Sequence, residues 1–167
     1  GWSAAVGRPP PLMMGALESG RMPTVLDTYI ENRERVLPNH ANNYETVHGG
    51  NVMKWMDEIG AMSAMRFAGE NCVTAAVDQM SFRRPIPVGD IALINAYTYA
   101  AGETSVRVRL RASRENPRTG ETEPTTESYF VFVAMRDSDP TSVPELTAES
   151  EEGKRLREEA LAGEHDR

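Results

Sequence analysis

The chain has 167 residues, 40% of them hydrophobic, and a formal net charge of -7 at pH 7, a length that suits one domain with a real core and is short for two. The acidic balance speaks against a nucleic-acid partner and against adhesion to an anionic membrane, because both need an organised basic face. Its single cysteine, Cys72, excludes an intrachain disulfide and a cysteine zinc centre. No apolar run reaches ~18 residues free of charge, so no membrane span is expected and the cytoplasm is the predicted setting.

Residues 1–22 contain Pro9-Pro10-Pro11 and no sustained period, which predicts a flexible leader or start-site extension. A long helix is predicted to open at His48-Gly49-Gly50 and to end at Ala68-Gly69. Its apolar residues, Val52, Met53, Trp55, Met56, Ile59 and Phe67 among them, surround most of the axis, the pattern of a helix buried in a core. Asn51, Lys54 and Glu58 form one solvated stripe in which Lys54 and Glu58 have the spacing of an ion pair. Asp57 falls roughly 60 to 120° from that stripe, on the side of Gly50, Ala61, Ala64 and Ala68. A carboxylate there needs either a partner such as an arginine or a chemical role.

The unpaired N–H groups at the helix start suit a developing oxyanion, and glycine admits a carbonyl closely, so Gly50 is a candidate donor. Seven residues separate it from Asp57, about 10 Å at ~1.5 Å rise per residue. That is too far for both to act on one carbon. A second, antiparallel copy of the chain brings one Asp57 toward the other's Gly50, so the spacing itself points to a site shared in a dimer.

Beyond the helix, Cys72 to Gln79 reads as a buried strand and Pro85 to Asp90 as a turn. Ile91 to Ala100 reads as a strand. Val106 to Arg111 alternates aliphatic with arginine, the mark of a half-buried strand, and leaves Arg107, Arg109 and Arg111 on a solvated face or an oligomer contact. Residues 116–124 form a loop, Ser128 to Met135 a last strand, and 147–162 a short charged helix capped by Thr147 or Ser150.

Several of these segments resemble the acyl-CoA hydrolase family of hotdog-fold thioesterases. The family has a Pro-x-Asp-x-Asn segment, a Val/Ile-His/Phe-Gly-Gly helix start, and a Met-Asp-Glu triplet whose Asp lies fifteen residues after the Asn. Here Asn42 and Asp57 have that spacing, with Val47-His48-Gly49-Gly50 and Met56-Asp57-Glu58 in register. Phe82-Arg83-Arg84-Pro85 followed by Gly89-Asp90 is similar to the family's Phe-x-x-Pro-x-x-x-Gly-Asp, and Thr104-Ser105 precedes an alternating strand as in the family. His40 departs from the usual Asp, and Glu45-Thr46 from the common Gly-Asn or Gly-Asp.

The resemblance implies an α+β hotdog domain over residues 23–146, an antiparallel sheet wrapped around one long helix, with a first strand between Thr24 and Leu37. It implies hydrolysis of acyl-CoA to acid and CoA, with no cofactor and no metal. The enzyme would be a homodimer with sites at its interface, assembled as a trimer of dimers. Asp57 would be the general base or a nucleophile, Asn42 would orient water or polarise the carbonyl, and Gly50 would supply the amide. His48 and Gly49 would line the acyl chain, Arg83 and Arg84 would meet the phosphates of CoA, and Thr104 and Ser105 its nucleotide end. Read without the family, Asn42 caps its own turn, Arg83 and Arg84 are surface charges, and Thr104-Ser105 merely starts a strand. His40 and His48 have no carboxylate or cysteine at a ligand spacing. The rivals are a hotdog enoyl-CoA hydratase and a noncatalytic acyl-CoA sensor.

Overall fold

The structure, a computed structural model, describes residues 22–167, so the expected leader lies almost wholly outside the described residues. Helix α1 runs Gly49–Ala68 and ends at Gly69, whose φ of 70° is the left-handed conformation that glycine enters without strain. The strands are β1 (Ile30–Arg35), β2 (Asn71–Val77), β3 (Ile91–Ala101), β4 (Ser105–Glu115), β5 (Thr122–Arg136) and the two-residue β6 (Asp139–Pro140). They form one antiparallel sheet in the order β1-β3-β4-β5-β2, with β6 beside β5. A second helix, α2, spans Glu151–His165.

The alternation in β4 sends Val106, Val108, Leu110 and Ala112 inward against α1. There they meet Val52, Met56, Ile59 and Phe67 of the helix and Phe130 and Phe132 of β5. Burying each large apolar side chain contributes about 1.5–3 kcal/mol. The helix rides close to the sheet at Gly60, where an added Cβ would stand 3.0 Å from both Leu110 Cδ1 and Phe132 Cζ. Burial of α1 is one-sided rather than complete: Met53 is 42% exposed. Lys54 and Glu58 are exposed too.

Three local expectations are corrected. The first strand is shorter than Thr24 to Leu37, because residues 26–28 wind into a single 3-10 turn in which the Thr28 hydroxyl donates to the Val25 carbonyl at 2.7 Å. β2 is not buried: it is the sheet edge, paired only with β5, and leaves Val73 51% exposed. The strand expected from Ser128, β5, begins at Thr122, because it pairs with all of β4 from Glu115 back to Ser105.

Part of the arginine face of β4 is covered as well. Helix α2, capped by Ser150 Oγ accepting from Gly153 N at 2.9 Å, lays Leu156 and Ala160 on Tyr97, Tyr99 and Tyr129. Thr147 does not cap it but pairs with Thr24 across a parallel bridge. Tyr97 donates to the Leu156 carbonyl at 2.7 Å, and Arg109 donates to Tyr97 at 3.1 Å and to Glu127 at 3.0 Å. Burial disfavours the Arg109 charge, yet those bonds hold its pKa above the ordinary arginine value. Arg107 pairs with Glu164. Alternation in a strand tells which residues share a face, but not what covers it. Among the described residues no helix is long and apolar enough to cross a membrane.

Candidate active site

His48 is the N-cap of α1, exposed, with no side-chain bond to the helix. Its carbonyl accepts from Asn51 N at 3.0 Å and Val52 N at 3.3 Å, and the N–H groups of Gly49 and Gly50 have no partner among the described residues. Two free donors at a helix start with the dipole behind them form an anion-favouring corner. Above Gly50 the space is open, with nothing within 4 Å of a notional Cβ, while Gly49 lies 3.6 Å from the Phe82 ring by the same measure.

The loop ahead of the helix is held by Asn42. Its Oδ1 accepts from Tyr44 N at 2.9 Å and Thr46 N at 3.2 Å, and its Nδ2 donates to Thr46 Oγ1 at 3.0 Å. Within one chain Asn42 therefore does what a turn asparagine does, organising its own backbone. Glu45, at the position of a common family glycine, takes φ of 60°. The His40 side chain uses Nδ1 to accept the Leu37 N–H at 3.0 Å and sets its ring edge-on to Trp55 at 5.0 Å. It serves as a turn clamp.

A cleft of about 360 Å³ opens at this corner, lined by Asn42, Gly49, Phe82, Arg83, Arg84 and Thr125 with their neighbours. The Phe82-to-Pro85 segment is anchored to the sheet by Arg83 N donating to the Thr125 carbonyl at 2.8 Å. Both arginine side chains are exposed, and Arg84 has only a loose contact with Glu123 at 3.6 Å.

Asp57 stands apart from this cleft. It is half-buried on α1 and accepts from the Thr74 hydroxyl of β2 at 2.5 Å, with its second oxygen unpartnered among the described residues. The ladder slips between Thr74 and Ala76. Such a bulge beside a functional side chain re-aims it. Thr74 escaped the sequence reasoning; the available signal was strand period, since Cys72 and Thr74 share the helix-facing side of β2.

Thr104 and Ser105 do not join the cleft within the chain. Ser105 opens β4 opposite Val133, whereas the cleft residue Thr125 lies at the far end, beside Ser113. Eight residues of strand separate the two ends, roughly 27 Å at ~3.4 Å each. Burial, then the charge of Glu70, pushes the Cys72 thiol up to about 11, which disfavours the reactive thiolate. Among the described residues no group of three His, Cys, Asp or Glu side chains is placed to hold a metal.

A curled antiparallel sheet around one helix, with free amides at the helix start and a carboxylate two turns on, defines the class of hotdog thioesterases. The thioesterase superfamily profile matches residues 44–121. The uncharacterised acyl-CoA thioester hydrolase YkhA of Bacillus subtilis is 31% identical over 142 residues, covering 84% of this chain and 83% of that protein. Among solved structures, a hexameric acyl-CoA thioesterase superposes with a TM-score of 0.77 at 34% identity, over 87% of this chain and 95% of that one. The acyl-CoA hydrolase of Staphylococcus aureus, solved with butyryl-CoA and CoA, gives 0.77 at 30% identity over 84% and 87%. The chain belongs to the acyl-CoA hydrolase family of thioesterases. Alanine variants of the Staphylococcus enzyme have been solved at an Asn, an Asp and a Thr spaced fifteen and seventeen residues apart. Residues 42, 57 and 74 of this chain have the same identities and the same spacing.

Proposed function

We propose that the protein hydrolyses acyl-CoA thioesters at a site completed by a second copy of the chain. The thioester carbonyl lies against the free N–H groups of Gly49 and Gly50, which stabilise the oxyanion as it forms. Asp57 from the partner copy accepts a proton from water while the water oxygen bonds to the carbonyl carbon. Thr74 holds one carboxylate oxygen and leaves the other for that proton. Collapse of the tetrahedral species breaks the C–S bond, and the CoA thiolate takes the proton from Asp57, leaving acid and thiol. Asn42 aligns water or carbonyl, His48 borders the acyl chain, and Arg83 and Arg84 meet the phosphates.

The observation that carries this reading is the separation of Asp57 from the cleft it must serve. Both features sit on one rigid helix, so no loop movement closes the gap. The free edge of β2, which carries Thr74, supports a second copy as the remedy: its unpaired backbone groups are a template for another strand. The hexameric assembly of a related thioesterase favours a trimer of such dimers. Thr104 and Ser105 join the site only from a neighbouring subunit. The single Cys72 and the absence of a spanning helix among the described residues support a cytoplasmic setting.

Subunit complementation tests the shared site. Asn42→Ala and Asp57→Ala proteins, each inactive alone, are mixed and allowed to exchange subunits, with thiol release from acyl-CoA measured by a thiol reagent. Activity is expected to return, because one of the two sites in a mixed dimer carries both native groups. No recovery despite demonstrated exchange would overturn the shared site, and a wild-type protein releasing no thiol would overturn the reaction.

A further inference from the structure

We infer that Thr125 is a substrate-binding residue whose hydroxyl hydrogen-bonds an amide of the pantetheine arm of CoA, an inference that rests on the acyl-CoA reading above. The argument starts from Pro124, which has no N–H to give to the ladder and is tolerated in a strand at an edge or a bulge. Here the ladder slips: Ala112 faces Thr126, Ser113 faces Pro124, and Thr125 is the extra residue between them. A bulge frees a residue from the ladder and re-aims it.

The freed residue is used twice. Its carbonyl takes the Arg83 N–H at 2.8 Å, fixing the segment that carries both candidate phosphate-binding arginines. Thr125 lines the cleft that holds Gly49, Arg83 and Arg84. It also lines an adjoining groove of about 370 Å³ reached past Arg83. Yet Thr125 is 1% exposed and its hydroxyl has no hydrogen-bond partner among the described residues. Fold stability does not account for it, since a buried hydroxyl without a partner is unfavourable and valine has the same shape without that penalty.

A substrate removes the penalty. With its thioester at the Gly49 and Gly50 amides and its phosphates at Arg83 and Arg84, CoA must run its pantetheine arm along the wall of this cleft, and that arm carries two amides. A χ1 rotation between staggered wells turns a threonine hydroxyl toward an incoming amide without moving the backbone. The bulge therefore stores an unsatisfied donor beside the path of the arm.

The test compares wild type, Thr125→Val and Thr125→Ser on three substrates with one acyl group: acyl-CoA, acyl-pantetheine, and an ethanethiol ester that has no amide. Thr125→Val is expected to lose ~5- to 10-fold in kcat/KM on the first two, the scale of one neutral hydrogen bond, and about 2-fold or less on the third. Thr125→Ser is expected to restore the loss, and the melting temperature of Thr125→Val to equal or exceed that of wild type. Unchanged kcat/KM on acyl-CoA, or an equal loss on the amide-free ester, would overturn the inference while leaving the hydrolase intact. Wild type that releases no thiol from acyl-CoA overturns the acyl-CoA reading, and this inference with it.

Discussion

The Thr74 hydroxyl donates to Asp57 Oδ1 at 2.5 Å, joining the edge strand β2 to the middle of α1. This bond holds one carboxylate oxygen and leaves the other without a partner among the described residues. If Asp57 is the base, removing it and removing its clamp have graded effects. Asp57→Asn is expected to lower kcat ~100-fold or more. Thr74→Val, which frees the carboxylate to rotate, is expected to cost about 10-fold. Steady-state kinetics with circular dichroism to verify the fold decides it, and near-wild-type turnover in Asp57→Asn would remove Asp57 from the chemistry.

Arg83 and Arg84 line the cleft and make no tight ion pair among the described residues, so their charge is available to a ligand. Replacing either with alanine is expected to raise KM for acyl-CoA ~10-fold, the scale of one charge-assisted hydrogen bond, while an acyl-pantetheine lacking the phosphates is little affected. An equal rise on both substrates would assign the pair to folding or chemistry instead.

Glu45 holds φ of 60° in an exposed turn, its N–H bonded to the Asn42 carbonyl at 3.2 Å. A side chain in the left-handed region costs about 1–2 kcal/mol, part of which glycine gives back through chain entropy. Glu45→Gly should therefore stabilise the protein by ~0.5–1 kcal/mol, a rise of about 2 °C in melting temperature. Calorimetry of the variant reads this directly, and a lower melting temperature would mean that the glutamate makes a compensating contact.

With its pKa pushed up to about 11, the Cys72 thiol stays neutral far above physiological pH. At pH 7 roughly 1 thiol in 10,000 is ionised, against about 3 in 100 for an ordinary cysteine. Alkylation by iodoacetamide should be some hundred-fold slower in the native protein than after unfolding in guanidinium, and should accelerate as pH rises toward 11. Equal rates in the two states would show the thiol to be free and unperturbed.

The sequence by itself determined the long helix and both its ends, the turn at Pro85 to Asp90, and the alternation in β4. These are local matters, set by backbone preferences of glycine and proline and by the period of apolar residues. It also held the Asn42-to-Asp57 spacing, and hence the family. Only the tertiary structure decided what each face meets. Arg109 read as solvated or as an oligomer contact and lies under α2 between Tyr97 and Glu127; Cys72 to Gln79 read as a buried strand, and β2 there is a sheet edge. Strand period put Thr74 on the side of Cys72 but not beside Asp57, and Thr125 owes its place to a slip in strand pairing, since register is a property of two strands that neither states alone.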